Sequence, residues 1–155
     1  MSARLASLAV IASLCLAMPA WSAAAEGPAG IVKRSAGAVT LLRGGAAPGQ
    51  ALAVGHAVQV GDVVRTGADG RVGITLADDT LLAAGPNSEL VLSEFAFNAT
   101  TQDGGLLVSI WRGTLAMVTG LLARKAPEKV NVQTRNVVLG VRGTEFIVDA
   151  GEGAK

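Results

Sequence analysis

Arg71-Val72-Gly73-Ile74-Thr75-Leu76 places an apolar side chain on every second residue, and most of the chain repeats that habit in short runs closed by glycine-containing turns. A period of two is the spacing of a strand, whose successive side chains leave opposite faces, whereas a helix needs apolar residues three and four apart. No segment carries helical spacing over any length. Only Leu121 to Glu128 has room for a short helix, and Pro127 stops it. The runs recur roughly every eight to twelve residues, which gives about ten short strands. Glycine accounts for 20 of the 155 residues, well above the usual share of roughly 7%. The expected fold is therefore all-β, and short strands with glycine-rich corners suit a small sandwich, a barrel or a few coils of a β-solenoid. No strict repeat is present, so a long regular solenoid is not expected.

The runs can be placed in order. Gly30-Ile31-Val32 opens the fold, and Gly37 to Leu42 forms a strand ended by Arg43-Gly44-Gly45. Gly61-Asp62 turns the chain into Val63 to Thr66. Gly67-Ala68-Asp69-Gly70 reads as a hairpin turn, because Asp-Gly readily takes positive φ. Ala77 to Thr80 turns again before a buried strand, Leu81 to Ala84. Gly85 to Ser88 is a further turn, and Glu89 to Leu92 leads on to Phe95 and Phe97. Asn98 to Gly105 is a hairpin loop. Leu106 to Trp111 and Leu115 to Val118 are strands on either side of Arg112-Gly113-Thr114. The last stretch, Val130 to Val148, divides into two or three strands that turn at Asn136 and Gly140, with Val137, Val138 and Leu139 as its second apolar run.

The first residues are expected to leave the chain. Arg4 supplies a positive start, Leu5 to Met18 an apolar run, and Pro19 to Ala25 a break with small residues, the layout of a cleaved export signal over residues 1–24. Ser22-Ala23-Ala24 and Ala23-Ala24-Ala25 both fit the cleavage pattern. About fourteen apolar residues are few for a membrane span, which takes roughly twenty. Cys15 lies inside the apolar run behind Leu14, a poor context for lipidation, and it is the only cysteine. The remaining chain has no disulfide, no thiolate nucleophile and no sulfur ligand for a metal. One folded domain is expected over residues 30–151. The whole chain holds 13 Lys and Arg against 12 Asp and Glu; with Arg4 set aside the two signs balance and are mixed along the chain. That balance argues against nucleic acid, which needs a basic face, and against electrostatic adhesion to a membrane.

Catalytic groups are scarce. His56 is the only histidine, so no histidine triad or metal set can be completed. Ser88, Ser93 and Ser109 sit in no nucleophile elbow. Asp78-Asp79 lacks calcium-loop spacing and reads as a hairpin corner. Asn98-Ala99-Thr100 matches a glycosylation pattern on a loop. No glycine-rich turn precedes a helix, so no phosphate cradle is expected. Trp111 is the sole Trp beyond the leader, and with Phe95, Phe97 and Phe146 it is expected in the core. No enzyme activity, cofactor or metal is expected.

Several segments together resemble the FecR domain. Gly37-Ala38-Val39 and Arg43-Gly44-Gly45 begin the likeness. Gly61-Asp62-Val63-Val64-Arg65-Thr66-Gly67 is similar to its G-D-x-[IV]-x-T-G segment. Ile74 to Leu81, with Asp78, Asp79 and Thr80, resembles its strand–D-G-[ST]–strand hairpin, Asp79 standing where glycine is more usual. Pro86 to Leu90 resembles its P-x-[ST]-x-[ILV] turn, and Leu107 to Gly113 the strand before its closing part. Val132-Gln133-Thr134 and Gly140-Val141-Arg142-Gly143-Thr144-Glu145-Phe146 resemble its V-x-T…G-V-R-G-T-x-F ending. The motif residues Gly61, Asp62, Thr66, Gly67, Asp78, Asp79, Gly140, Arg142, Gly143, Thr144 and Phe146 are read as structural: Gly140 and Gly143 as corners, Phe146 as a core anchor, Arg142 as a partner for backbone carbonyls or a carboxylate. The resemblance implies an all-β fold, a short β-solenoid or a rolled β-sandwich, and a periplasmic or exported location. Full regulators of this kind carry a cytoplasmic sigma-binding segment and a membrane helix ahead of the domain. Met1 to Arg4 leaves no room for the former, so a solo exported domain is expected. Its expected role is binding or scaffolding of an envelope protein or polymer, with no membrane anchor once the leader is removed. The alternative is an accessory to a sigma-factor regulator. Oligomeric state stays open.

Overall fold

Thirteen strands carry the alternation through residues 27–152, the part of the chain that the computed structural model describes. The expected leader lies outside those residues. The strands are β1 (Gly30–Ala36), β2 (Val39–Leu42), β3 (Gln50–Ala51), β4 (Ala57–Val58), β5 (Val63–Thr66), β6 (Arg71–Leu76), β7 (Leu81–Ala84), β8 (Glu89–Phe97), β9 (Gly104–Arg112), β10 (Thr114–Val118), β11 (Val130–Gln133), β12 (Val138–Gly140) and β13 (Glu145–Asp149). One short helix, α1 (Leu121–Lys125), precedes β11, and Pro127 ends it in a 3-10 turn. No helix among the described residues is long and apolar enough to cross a membrane.

The strands form two open sheets, ordered β13-β10-β7-β6-β1-β4 and β12-β11-β9-β8-β5-β2-β3. Every pairing is antiparallel except β11 with β9. Coils of a solenoid stack their strands in parallel, and neither sheet closes into a barrel, so of the expected architectures the all-β sandwich is the one these sheets form. The inner faces share one core. Val32, Ile74, Leu115 and Met117 come from the first sheet, Leu41, Val64, Leu106, Val108 and Ile110 from the second, and Leu122 of α1 joins them. Burying a side chain of this size stabilises the fold by about 1.5–3 kcal/mol.

The chain passes between the sheets eight times, and four of these passages lie at one end. β1 to β2, β5 to β6, β7 to β8 and β9 to β10 each cross there, whereas β6–β7 and β8–β9 are true hairpins. Gly67 to Gly70 is thus not the expected hairpin: β5 pairs with β2 and β8, β6 with β1 and β7. Neither Asp69 nor Gly70 takes positive φ. Gly70 is needed for close approach instead, since a Cβ there would overlap the carbonyl of Ala38. Gly37, at φ 66°, belongs to the first corner, so β2 begins at Val39.

Register shifts explain where the strict period breaks. Leu90 and Leu92 point inward on β8, and so do Phe95 and Phe97, although the parity differs. The pairing with β9 slips between Leu92 and Glu94, a bulge that returns the later residues to the inner face. Leu81 to Ala84 is half-buried rather than buried, with Leu82 and Ala84 inward and Leu81 and Ala83 outward. Val138 to Gly140 is exposed throughout, because β12 lies at a sheet edge. Trp111 is half-exposed and stands outside the core that Phe95, Phe97 and Phe146 pack against.

Candidate functional site

The polar motif residues converge on the corners. Asp62 is 1% exposed, and its carboxylate accepts from Arg43 Nη1 at 2.5 Å, Gln59 N at 2.8 Å and Gly44 N at 3.2 Å. It ties the turn after β2 to the turn before β5. Gly61, at φ 86°, makes that second turn and donates its N–H to Leu92. At the other end of β5, Thr66 Oγ1 donates to Gly85 O at 2.7 Å and accepts from Ser88 N at 2.8 Å. Gly67 N donates to Ala38 O, and Asn87 N to Gly67 O. Ser88 Oγ accepts from Thr114 N at 3.0 Å, and Gly113, at φ 80°, lies so close that a Cβ would overlap Ser88. Four crossings are thereby laced together by backbone groups that would otherwise be buried without partners.

The β6–β7 hairpin uses a second buried carboxylate. Asp78 is fully buried and accepts from Thr80 Oγ1 at 2.7 Å and Thr80 N at 3.1 Å. Its carbonyl accepts from Leu121 N, and Gly120 packs against the hairpin so closely that any side chain there would clash. Asp79 holds φ 65° and is exposed. Both aspartates sit in a turn, and among the described residues no three His, Cys, Asp or Glu side chains gather as a metal set.

The ending motif divides between core and surface. Phe146 packs against the core opposite Met117. The carbonyls of Gly143 and Thr144 accept from Thr119, which fixes the path into β13. Gly143, at φ 125°, is a corner with open space around it. Gly140 is not a corner: it pairs with Asn131 inside β12. Arg142 is exposed and has no hydrogen-bond or ion-pair partner among the described residues, so the expected carbonyl or carboxylate contact does not form there.

His56 is exposed, and its Nδ1 accepts from Ala53 N at 3.3 Å. Ser93 and Ser109 bond each other at 2.6 Å. A cleft of about 880 Å³ lies where Gly27 enters, with Phe95, Phe97, Asn98 and Asp103 on its wall. The geometry best suited to contact is the edge at β12. Val137 and Val138 are 50% and 60% exposed and Leu139 39%, with exposed Arg135 and Arg142 on either side. One side of β12 bonds β11; its other side carries no strand among the described residues. Sequence reasoning named these apolar residues as a strand but did not place them on a surface, because a run of Val and Leu reads alike at an edge and in a core.

The family model described as FecR protein matches residues 62–155. The chain belongs to the FecR family. No curated protein and no solved structure matches it. The FecR match starts at Asp62, yet β1 and β2 before it pair with β6 and β5 inside it, so the FecR sandwich of this chain uses residues on both sides of that boundary.

Proposed function

We propose that this FecR-family chain is an exported, non-catalytic docking module of the bacterial envelope, which takes a strand of an envelope protein along β12. The observation that carries the reading is the edge at Val138–Gly140, unpaired among the described residues, apolar, exposed and flanked by Arg135 and Arg142. A strand added there gains main-chain hydrogen bonds, and alternate side chains supply specificity. The two arginines lie at either end of the apolar run, so the fitting strand is apolar at its centre and acidic at its ends. The turn carboxylates Asp62 and Asp78 are consumed by the corners, which supports a docking role over a reaction. Membership of the FecR family links the chain to envelope signalling. That link favours one class of partner, a component of a sigma-factor regulator.

The test has two arms. Export is read from the processed N-terminus in the periplasmic fraction, expected at Ala23 to Ala25; an unprocessed cytoplasmic chain overturns it. Docking is read with a photo-crosslinking residue at position 138 in intact cells. An adduct with an envelope polypeptide that disappears in Leu139→Lys supports the edge, and the absence of any such adduct overturns it. Deletion of the gene without any transcriptional change removes the signalling link.

A further inference from the structure

We propose that the outer face of the β13-β10-β7-β6-β1 layer joins two copies of this chain. Register places two rows of outward residues side by side. Ile147, Ala116, Ala83 and Gly73 form one row, ending in Arg34. Val118, Leu81, Thr75 and Ile31 form the next, beginning at Glu145. A solvated face of an antiparallel sheet ordinarily presents polar side chains. This one presents Ile31, Leu81, Val118 and Ile147, exposed by 40%, 46%, 37% and 69%. A groove of about 470 Å³ runs over the small residues Gly73, Ala83 and Ala116, with Ile147 rising at one side and Arg34 and Arg71 at the other. A contiguous apolar patch rimmed by charge is the mark of an interaction surface.

The charges identify the occupant. Arg34 and Arg71 lie on β1 and β6, and Glu145 and Asp149 lie on β13. Four strand spacings, roughly 19 Å, separate β13 from β1. A two-fold axis along β7 lays the acidic side of one copy over the basic side of the other, twice. It also sets Ala83 over Ala83, Ala116 over Gly73, and Arg34 over Ile147 of the partner, between Glu145 and Asp149 on the same strand. The same patch satisfies itself, as an isologous interface requires. A partner of one charge sign would meet like charge at one side. Pairing of two β13 edges is disfavoured too, since antiparallel register about Ile147 sets Glu145 against Asp149 of the second copy. The face spans roughly 300 Å² of sheet, below the roughly 800 Å² per partner of a stable complex. The dimer is therefore weak and transient. It uses the sheet opposite to β12 and does not depend on the docking role proposed above.

Sedimentation velocity on the full chain, from roughly 10 µM to 1 mM at low salt, tests it. The weight-average mass is expected to rise towards the dimer and to fall back with added salt. Ala83→Arg, an outward substitution on the axis, is expected to leave the chain monomeric at an unchanged melting temperature. Arg34→Glu is expected to weaken the dimer about tenfold, and adding Glu145→Arg restores it, an outcome that a merely structural role for Arg34 does not give. A monomer at every concentration overturns the proposal. So does a dimer that survives Ala83→Arg, including one that Leu139→Lys dissolves, or a double variant without rescue.

Discussion

Asp62 is a charge taken almost wholly out of water, and it persists because three donors converge on it while Arg43 keeps half its side chain in solvent. Removing the carboxylate leaves the N–H groups of Gln59 and Gly44 without that acceptor. Asp62→Ala is expected to cost about 2–4 kcal/mol, measured as a lower urea midpoint with an unchanged slope. Glycines at the corners differ in what they need. Gly143→Val meets no neighbour and loses only the backbone freedom of φ 125°, about 1–3 kcal/mol. Gly113→Val has both positive φ and Ser88 against it, so its melting temperature is expected to fall further than that of Gly143→Val. Equal losses would show that contact with Ser88 is not what fixes Gly113. The identity of these residues was legible as motif text. Their partners were not, because Arg43 and Asp62, or Ser88 and Thr114, are 19 and 26 positions apart and meet only when corners stack.

The β6–β7 hairpin shows what an element owes to one unusual residue. Asp78 bonds Thr80 and shapes the turn, while Asp79 sits at φ 65°, a conformation that glycine enters without steric cost. Asp79→Gly relieves that cost but adds freedom to the unfolded chain, so the net gain is expected to be at most about 1 kcal/mol. A thermal melt at neutral pH reads it, and a clear loss of stability would mean that the Asp79 side chain holds the turn in a way its exposure does not reveal. The hairpin itself was legible, since Val72, Ile74 and Leu76 keep strict alternation. The corner at Gly67 to Gly70 was not: a turn-prone tetrapeptide specifies a reversal of direction, and whether the next strand pairs with the last or crosses to the opposite sheet depends on which neighbours already hold its edges. β8 adds a second reason, a bulge at Ser93 that changes parity without any local signal. β12 adds a third, as apolar composition does not distinguish an edge from a core strand.

At the scale of the molecule, the crossings make the two sheets interdependent. No consecutive stretch of chain builds one sheet alone: β1, β6, β7, β10 and β13 alternate with strands of the other layer. The core follows the same rule, with Ile110 of one sheet in the same cluster as Ile74 and Met117 of the other. Composition and period were sufficient for an all-β fold, whereas the choice of a sandwich over a solenoid, and the strand order, required the pairings themselves. Loss of packing on one side should therefore unfold both. Ile110→Ala removes a fully buried side chain and is expected to cost about 2–5 kcal/mol, depending on how far the cavity collapses. Trp111, the only tryptophan among the described residues, lies on β9 and reports the second sheet by fluorescence. Amide exchange along β6 reports the first. In a single cooperative unit the two probes shift by the same free energy in Ile110→Ala. A variant in which Trp111 fluorescence melts early while β6 amides stay protected would show that the sheets unfold separately, despite the corners that bind them.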